Sequence, residues 1–176
     1  MTEKQFYDWQ TLGGTDDVMR FVNALESADI LWCAIGGVAV NHWAAEQMVT
    51  FDVDFVVAAD SIEKAEKALL DAGFTAERFD WSINFKGTSK VGIQLTTEGS
   101  YRDFAERGVA ADVHGILLRV ANLEDTLTGK VRAWSDPTRR QSKRLKDLAD
   151  IARLVESHPE LWERLNDELQ SQIERP

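Results

Sequence analysis

One stretch of the sequence, ILWCAIGGVAVNHWAAEQMVTFDVDFVV from Ile30 to Val57, constrains the fold more than any other. Ile30 to Ile35 is continuously apolar and short, as suits a strand buried on both faces. Gly36-Gly37 then breaks the run, Val38 to Glu46 has helical composition, and Thr50 to Ala58 returns to strand-forming residues. Asp52 and Asp54 stand inside that second strand. Residues two apart on a strand point the same way with Cα atoms about 6.5 to 7 Å apart, so both carboxylates project from one face. Phe51, Val53 and Phe55 are expected to fill the opposite face. Aspartate is depleted in strands and costly to bury unpaired, so two of them in an apolar, aromatic run require a reason. A solvated strand face is one such reason, and a divalent-cation site is the other.

The flanking sequence alternates helices and strands. Residues Met1 to Leu12 show no clear period and are anchored at most through Phe6 and Trp9. After Gly13-Gly14, Thr15 reads as a helix N-cap with Asp16 and Asp17 in the first turn, and Val18, Phe21, Val22 and Leu25 recur at helical spacing. Ser61 reads as the cap of a helix from Ile62 that Gly73 stops. Phe74 to Phe79, Trp81 to Phe85, Val91 to Leu95 and Ile116 to Val120 read as strands, with Tyr101 to Arg107 a short helix or turn. Leu123 to Trp134 is helical. Pro137 opens a longer helical segment whose expected buried stripe is Leu145, Leu148, Ala152 and Val155, broken near Ser157-His158-Pro159. A last helix offers Leu161, Leu165 and Leu169. The pattern predicts an α+β fold with an α/β-like core, a mixed sheet flanked by helices, and a helical C-terminal part. The expected division is a core over residues 1–121 and a helical region over 122–176 packed on it.

Composition narrows the function. The formal net charge of −10, from 30 acidic and 20 basic residues, argues against a general nucleic-acid coat or an anionic-membrane binder. No apolar run approaches the roughly 20 residues that span a bilayer, and the N-terminus lacks a secretory signal, so a cytoplasmic protein without membrane partners is expected. The single cysteine, Cys33, lies in an apolar run and reads as a small buried hydrophobe. His42, His114 and His158 form no ligand spacing.

Buried strand, Gly-Gly, helix, then Thr-x-Asp-x-Asp resembles the nucleotidyltransferase fold of DNA polymerase beta type, here as GGVAV followed by TFDVDFVV. Downstream, LEDTLTGKVRAW and RRQSKRLKDLADIARL look like the tail of small bacterial nucleotidyltransferase-like proteins that include the toxin of the AbiE toxin-antitoxin systems. The resemblance covers roughly residues 31–155. It implies that Gly36 and Gly37, with Thr50 and Lys130, bind the phosphates of an NTP. It also implies that Asp52 and Asp54 hold Mg²⁺ for transfer of a nucleotidyl group to a hydroxyl acceptor, whether RNA, protein or small molecule. An antitoxin protein is an implied partner.

Two departures from the family's pattern stand out. A third carboxylate usually comes from a later strand, and here KVGIQLTT presents Gln94, whose amide oxygen can ligate a metal but cannot act as a base. Glu98 and Asp112 are candidate substitutes. Relatives often carry an arginine shortly before the threonine, where this chain has Met48. A catalytically degenerate member that binds nucleotide or a protein partner is therefore the alternative reading. The cluster Arg132, Arg139, Arg140, Lys143, Arg144 and Lys146 could steer a polyanion, or form a solvated helix face in which Lys143 pairs with Asp147 and Lys146 with Asp150.

Overall fold

The computed structural model describes residues 14–113 and 115–176. Phe6, Trp9 and His114 lie outside the described residues. The chain forms helix α1 (Thr15–Ser27), strand β1 (Trp32–Ile35), helix α2 (Gly36–Trp43) and strand β2 (Asp52–Val57). Helix α3 (Ile62–Asp71) then leads to β3 (Thr75–Phe79), β4 (Ser82–Lys86) and β5 (Gly92–Thr96). A short helix α4 (Phe104–Arg107) precedes the hairpin β6 (Val109–Val113) and β7 (Ile116–Val120), and helices α5 (Leu123–Ser135), α6 (Gln141–Ser157) and α7 (Asp167–Gln172) close the chain.

The strands make one mixed sheet in the order β3-β4-β5-β2-β1-β7-β6. β2 is antiparallel to β1 and parallel to β5, and β1 is parallel to β7. This is the α+β architecture that the sequence pattern predicts.

Alternation along the strands sorts side chains into two layers. On one face, Trp32 and Ala34 of β1, Val53, Phe55 and Val57 of β2, and Ile83, Phe85, Ile93 and Leu95 pack against Val18, Phe21 and Leu25 of α1 and Ala65 and Leu69 of α3. Phe21 stacks on Phe55 with centroids 4.7 Å apart and meets Phe74 and Phe85 edge-on. On the other face, Cys33, Val56, Phe104 and Ala121 form a small cluster. Beside it, Val40 of α2 and Ala44 just after it join Leu127, Trp134, Ile151 and Leu154 in a helical core that binds the C-terminal region to the rest.

Several expectations change. Gly14, not Thr15, is the N-cap of α1, and no side-chain cap bond is made there. Helix α2 begins at Gly36 itself and ends at Trp43, so Gly-Gly is its first turn rather than a preceding loop. Phe51 is outside β2 and exposed, because the pleat of β2 begins only at Asp52. The strand β6 over Val109–Val113 was hidden by Gly108 and two alanines. Of the expected stripe on α6, Val155 is buried, Leu148 and Ala152 are half-buried and Leu145 is exposed, and Asp147, Asp150, Ile151 and Leu154 are buried as well. Leu161, Leu165 and Leu169 are buried as expected, but on a 3₁₀ turn (Pro159–Arg164) followed by the short α7. Among the described residues no helix is long and apolar enough to cross a membrane.

Candidate functional site

The second face of the sheet is where the acidic strand residues point. Asp54 of β2 lies in register with Gln94 of β5, which lies in register with Asn84 of β4, so a row of polar side chains crosses three strands. Asp52 is exposed and Asp54 half-buried. Glycines make room for both. A Cβ at Gly36 would sit 2.4 Å from Asp54 Oδ2, and Gly36 has φ +65, a backbone conformation that side chains disfavour. A Cβ at Gly92 would sit 2.4 Å from Asp52 Oδ1.

Gly36, Asp54 and Gln94 open into a cleft of about 310 Å³ between the sheet and the C-terminal helices, within the range of small-molecule sites; Asp52 lies at the edge of a neighbouring cavity. Gly36, Asp54 and Gln94 line its floor, Lys130 of α5 and Arg139 of the α5–α6 connection its opposite wall, and Trp81 and Tyr101 its sides. Trp81 is 67% exposed, a large aromatic surface left uncovered beside a polar cleft. Glu98 also lines the cleft and accepts a hydrogen bond from Ser100 Oγ at 2.7 Å.

Gly37 and Thr50 stand behind this floor. A Cβ on Gly37 would approach Thr50 Oγ1 to 3.1 Å, and that hydroxyl donates to the Asp52 carbonyl at 2.9 Å. Thr50 thus fixes the approach to β2. Asp112 is on the edge strand β6, away from β2, and its Oδ1 accepts from the Gly115 N–H at 2.7 Å. Met48 is exposed, and its backbone makes two hydrogen bonds with the buried Asn41 side chain.

Lys130 is buried and held by two aspartates, 3.1 Å from Asp147 Oδ1 and 2.7 Å from Asp150 Oδ2. Arg139 bonds Asp147 Oδ2 at 2.6 Å and Arg153 bonds Asp150 Oδ1 at 2.8 Å. The expected pairs Lys143–Asp147 and Lys146–Asp150 are thereby corrected: both aspartates turn inward to buried or cleft-lining cations. The basic cluster is divided accordingly. Arg144 donates to the Trp134 carbonyl and Arg132 to that of Ser100, while Arg140, Lys143 and Lys146 are exposed.

Electrostatics follows from burial. Desolvation pushes the Asp54 carboxyl above its ordinary range; Lys130 opposes that and the like charge of Asp52 adds to it. Burial alone would lower Lys130, but Asp150 and Asp147 outweigh it and hold the ammonium above its ordinary value. Burial pushes the Cys33 thiol up to about 12, so it is inert, as the sequence predicts. Burial lowers His42, whose ring meets Trp43 at 4.7 Å and is not among the cleft-lining residues.

Among the described residues no three His, Cys, Asp or Glu side chains converge as a metal-binding group. What converges is two carboxylates on one strand face with an amide in register beside them, an all-oxygen donor set that leaves room for ligand phosphates. Read from sequence, Arg139 belongs only to a polyanion-steering cluster and Asp147 and Asp150 are only partners of surface lysines, so Asp147 as part of this wall and Asp150 behind Lys130 were missed. Their i,i+3 and charged neighbours imitate a solvated helix.

A family model described as "Nucleotidyl transferase AbiEii toxin, Type IV TA system" matches residues 39–175, a span that contains Asp52, Asp54, Gln94 and Lys130 and begins just after Gly37. No curated protein matches the chain at a significant level. Among solved structures, ANT(2")-Ia in complex with adenylyl-2"-tobramycin aligns with a TM-score of 0.60 at 14% identity, over 88% of this chain and 95% of that one. An antigenic nucleotidyltransferase-like protein from Paracoccidioides brasiliensis aligns at 0.55 and 20% identity, over 88% and 83%. The lincosamide antibiotic adenylyltransferase LnuA, lincomycin-bound, aligns at 0.53 and 11% identity, over 80% and 97%. At such identities the structural likeness establishes a shared fold.

Proposed function

The chain belongs to the AbiEii nucleotidyltransferase toxin family, and from that premise we propose that it transfers a nucleotidyl group from an NTP to a hydroxyl acceptor in a Mg²⁺-dependent reaction. The observation that carries this reading is the convergence of Gly36, Asp54 and Gln94 on one cleft, walled by Lys130 and Arg139. Asp52 and Asp54 would hold the cation, with the Gln94 amide oxygen as a weaker third donor. The desolvation of Asp54 beside Asp52 supports this, because a cation relieves both the burial and the repulsion. A bound cation would neutralise charge developing on the transferred phosphate.

The chain's own groups do the rest. Gly36 brings backbone close to the floor of the cleft at the start of α2, where N–H groups and the helix dipole favour phosphate. Arg139 reaches the same space from the opposite wall as a positive group. Lys130, locked between Asp147 and Asp150, contributes a fixed positive potential from beneath and holds α5 to α6. Trp81 and Tyr101 offer aromatic faces for a base. The family's description as a type IV system toxin supports a toxic role controlled by an antitoxin.

Incubation with labelled NTP, Mg²⁺ and cell extract tests the reading. Wild type is expected to transfer label, and Asp52→Ala to lose at least about 100-fold, since even residues supporting a metal ligand are worth 10–100-fold. Undiminished transfer by a folded Asp52→Ala would remove Asp52 from the site. The degenerate alternative predicts NTP binding by calorimetry with no product, and rests on Gln94 standing where a carboxylate is expected.

A further inference from the structure

The charges behind the cleft wall do not balance. Asp147 and Asp150 face three cations, Lys130, Arg139 and Arg153, so this network keeps one uncompensated positive charge. Lys130 is not the group that delivers it, because its side chain is 10% exposed and its ammonium lies against both carboxylates. Arg153 spends both terminal amino groups inside the fold, one on Asp150 and the other on the Asn41 side chain and the Glu46 carbonyl. Arg139 differs. Its Nε donates to Asp147 Oδ2 at 2.6 Å, and among the described residues neither of its terminal amino groups has a hydrogen-bond partner.

The turn that carries Arg139 is itself fixed. Residues 136–139, DPTR, close with the Arg139 N–H donating to the Asp136 carbonyl at 3.2 Å. Asp136 Oδ1 accepts from the Thr138 N–H at 2.8 Å and from the Thr138 hydroxyl at 2.7 Å. Proline at the second position presets the backbone of such a turn. A guanidinium tethered at Nε is thereby presented to the cleft whose floor is Gly36 and Asp54.

We propose that Arg139 is a catalytic residue of the transfer, gripping the β- and γ-phosphates of the NTP with its two terminal amino groups and neutralising the pyrophosphate as it leaves. This rests on the nucleotidyl-transfer reading of the cleft. Arginine's planar fork matches two phosphate oxygens at once, and a fork already held at Nε gives up little side-chain freedom when they arrive. The α-phosphate belongs at the cation of Asp52 and Asp54, so the anionic part of the nucleotide left for a fork on the opposite wall is the β,γ part. In the step, the acceptor hydroxyl oxygen bonds to the α-phosphorus and its proton passes to water. The bond from that phosphorus to the oxygen bridging to the β-phosphate breaks, and the electron pair stays with pyrophosphate. Charge thus grows on the group that Arg139 holds, and a pre-oriented cation acts most strongly where charge develops.

Two measurements test this on the full chain with Mg²⁺ present. By calorimetry, Arg139→Ala is expected to weaken an α,β-methylene NTP analogue and pyrophosphate by at least about tenfold each, through the loss of paired charge-assisted contacts, and to leave nucleoside monophosphate affinity unchanged. Arg139→Lys keeps the charge without the fork and is expected to remain at least about threefold weaker than wild type. Undiminished binding of the triphosphate analogue by Arg139→Ala, or equal losses for monophosphate and triphosphate, overturns the proposal. The second measurement needs no variant. Phenylglyoxal labels guanidinium groups of the wild type, and mass spectrometry reads the label residue by residue. Pyrophosphate is expected to shield Arg139 and to leave its exposed neighbour Arg140 reactive; equal labelling of Arg139 with and without pyrophosphate overturns the assignment. If wild type binds neither the analogue nor pyrophosphate, the nucleotide reading of the cleft has failed and this inference falls with it, whereas binding that ignores Arg139 removes this inference alone.

Discussion

The face of the sheet under α1 and α3 and the face under α5 and α6 are made by the same strands, residue by alternate residue. Val53 and Phe55 look one way into a closed layer of Phe21, Phe74 and Phe85; Asp52 and Asp54 look the other way into open cavities. The first face is filled by stacked and edge-on rings. The second has three buried aspartates, Asp125, Asp147 and Asp150, a buried lysine and, among the described residues, an unpartnered amide oxygen. The difference teaches that stability is concentrated in one layer so that the other can carry desolvated charge. The exception on the second face is the Lys130–Asp147–Asp150 knot, which is structural as well as electrostatic.

Substitutions on each side should separate along that line. The largest stability losses are expected from Phe55→Ala on the closed face, about 3–5 kcal/mol by denaturant unfolding, and from Lys130→Met in the knot. Removing Lys130 takes away the buried cation that Asp147 and Asp150 share and leaves each with a single arginine, and about 3–5 kcal/mol is expected. The two then diverge: partly destabilised Phe55→Ala keeps nucleotide affinity below its melting point, and Lys130→Met does not. Loss of both in both variants would break the distinction between the faces.

Gly36→Ala should cost about 1–2 kcal/mol, the penalty of placing a side chain at positive φ, with a larger loss in NTP affinity because the new methyl collides with Asp54. A smaller effect is expected at Asp17. Burial would raise its carboxyl, but the hydrogen bonds from Ser89 and Thr88 together outweigh it and hold it below 3.8. Its stabilisation is therefore present above about pH 3.8 and lost as pH falls through the lower folded value. Asp17→Asn should lose about 1 kcal/mol at neutral pH, with the gap to wild type closing as the pH falls through the lowered folded value. A pH-independent gap would mean that packing, not charge, is what Asp17 supplies.

The closed face was legible in the sequence because hydrophobic period alone writes it: Val18, Phe21, Val22 and Leu25 on α1, and Val53 and Phe55 on β2, are buried as read. So was the polar row, since Asp52, Asp54 and Gln94 alternate with apolar residues and fall on one face by register. The helical wall was not. In α6 the charges of RRQSKRLKDLADIARL satisfy i,i+4 pairing on paper, and only the tertiary position of Lys130 turns Asp147 and Asp150 inward and leaves Leu145 in water. β6 was missed because Gly108, Ala110 and Ala111 carry little strand preference, and pairing with β7 decides their conformation. The cavity beside Asp52 was invisible for a similar reason: Asn84, Lys86 and Lys90 meet Asp52 only through strand pairing.

The most direct test of a sheet with one face for stability and one for chemistry is Asp54→Asn, followed in parallel by thermal unfolding and NTP labelling. Desolvation disfavours the Asp54 carboxylate in the fold, so the neutral, nearly isosteric amide should leave the melting temperature unchanged or higher while nucleotidyl transfer falls at least about 100-fold. A lower melting temperature with transfer intact would contradict the account, because Asp54 would then belong to the fold and not to the site.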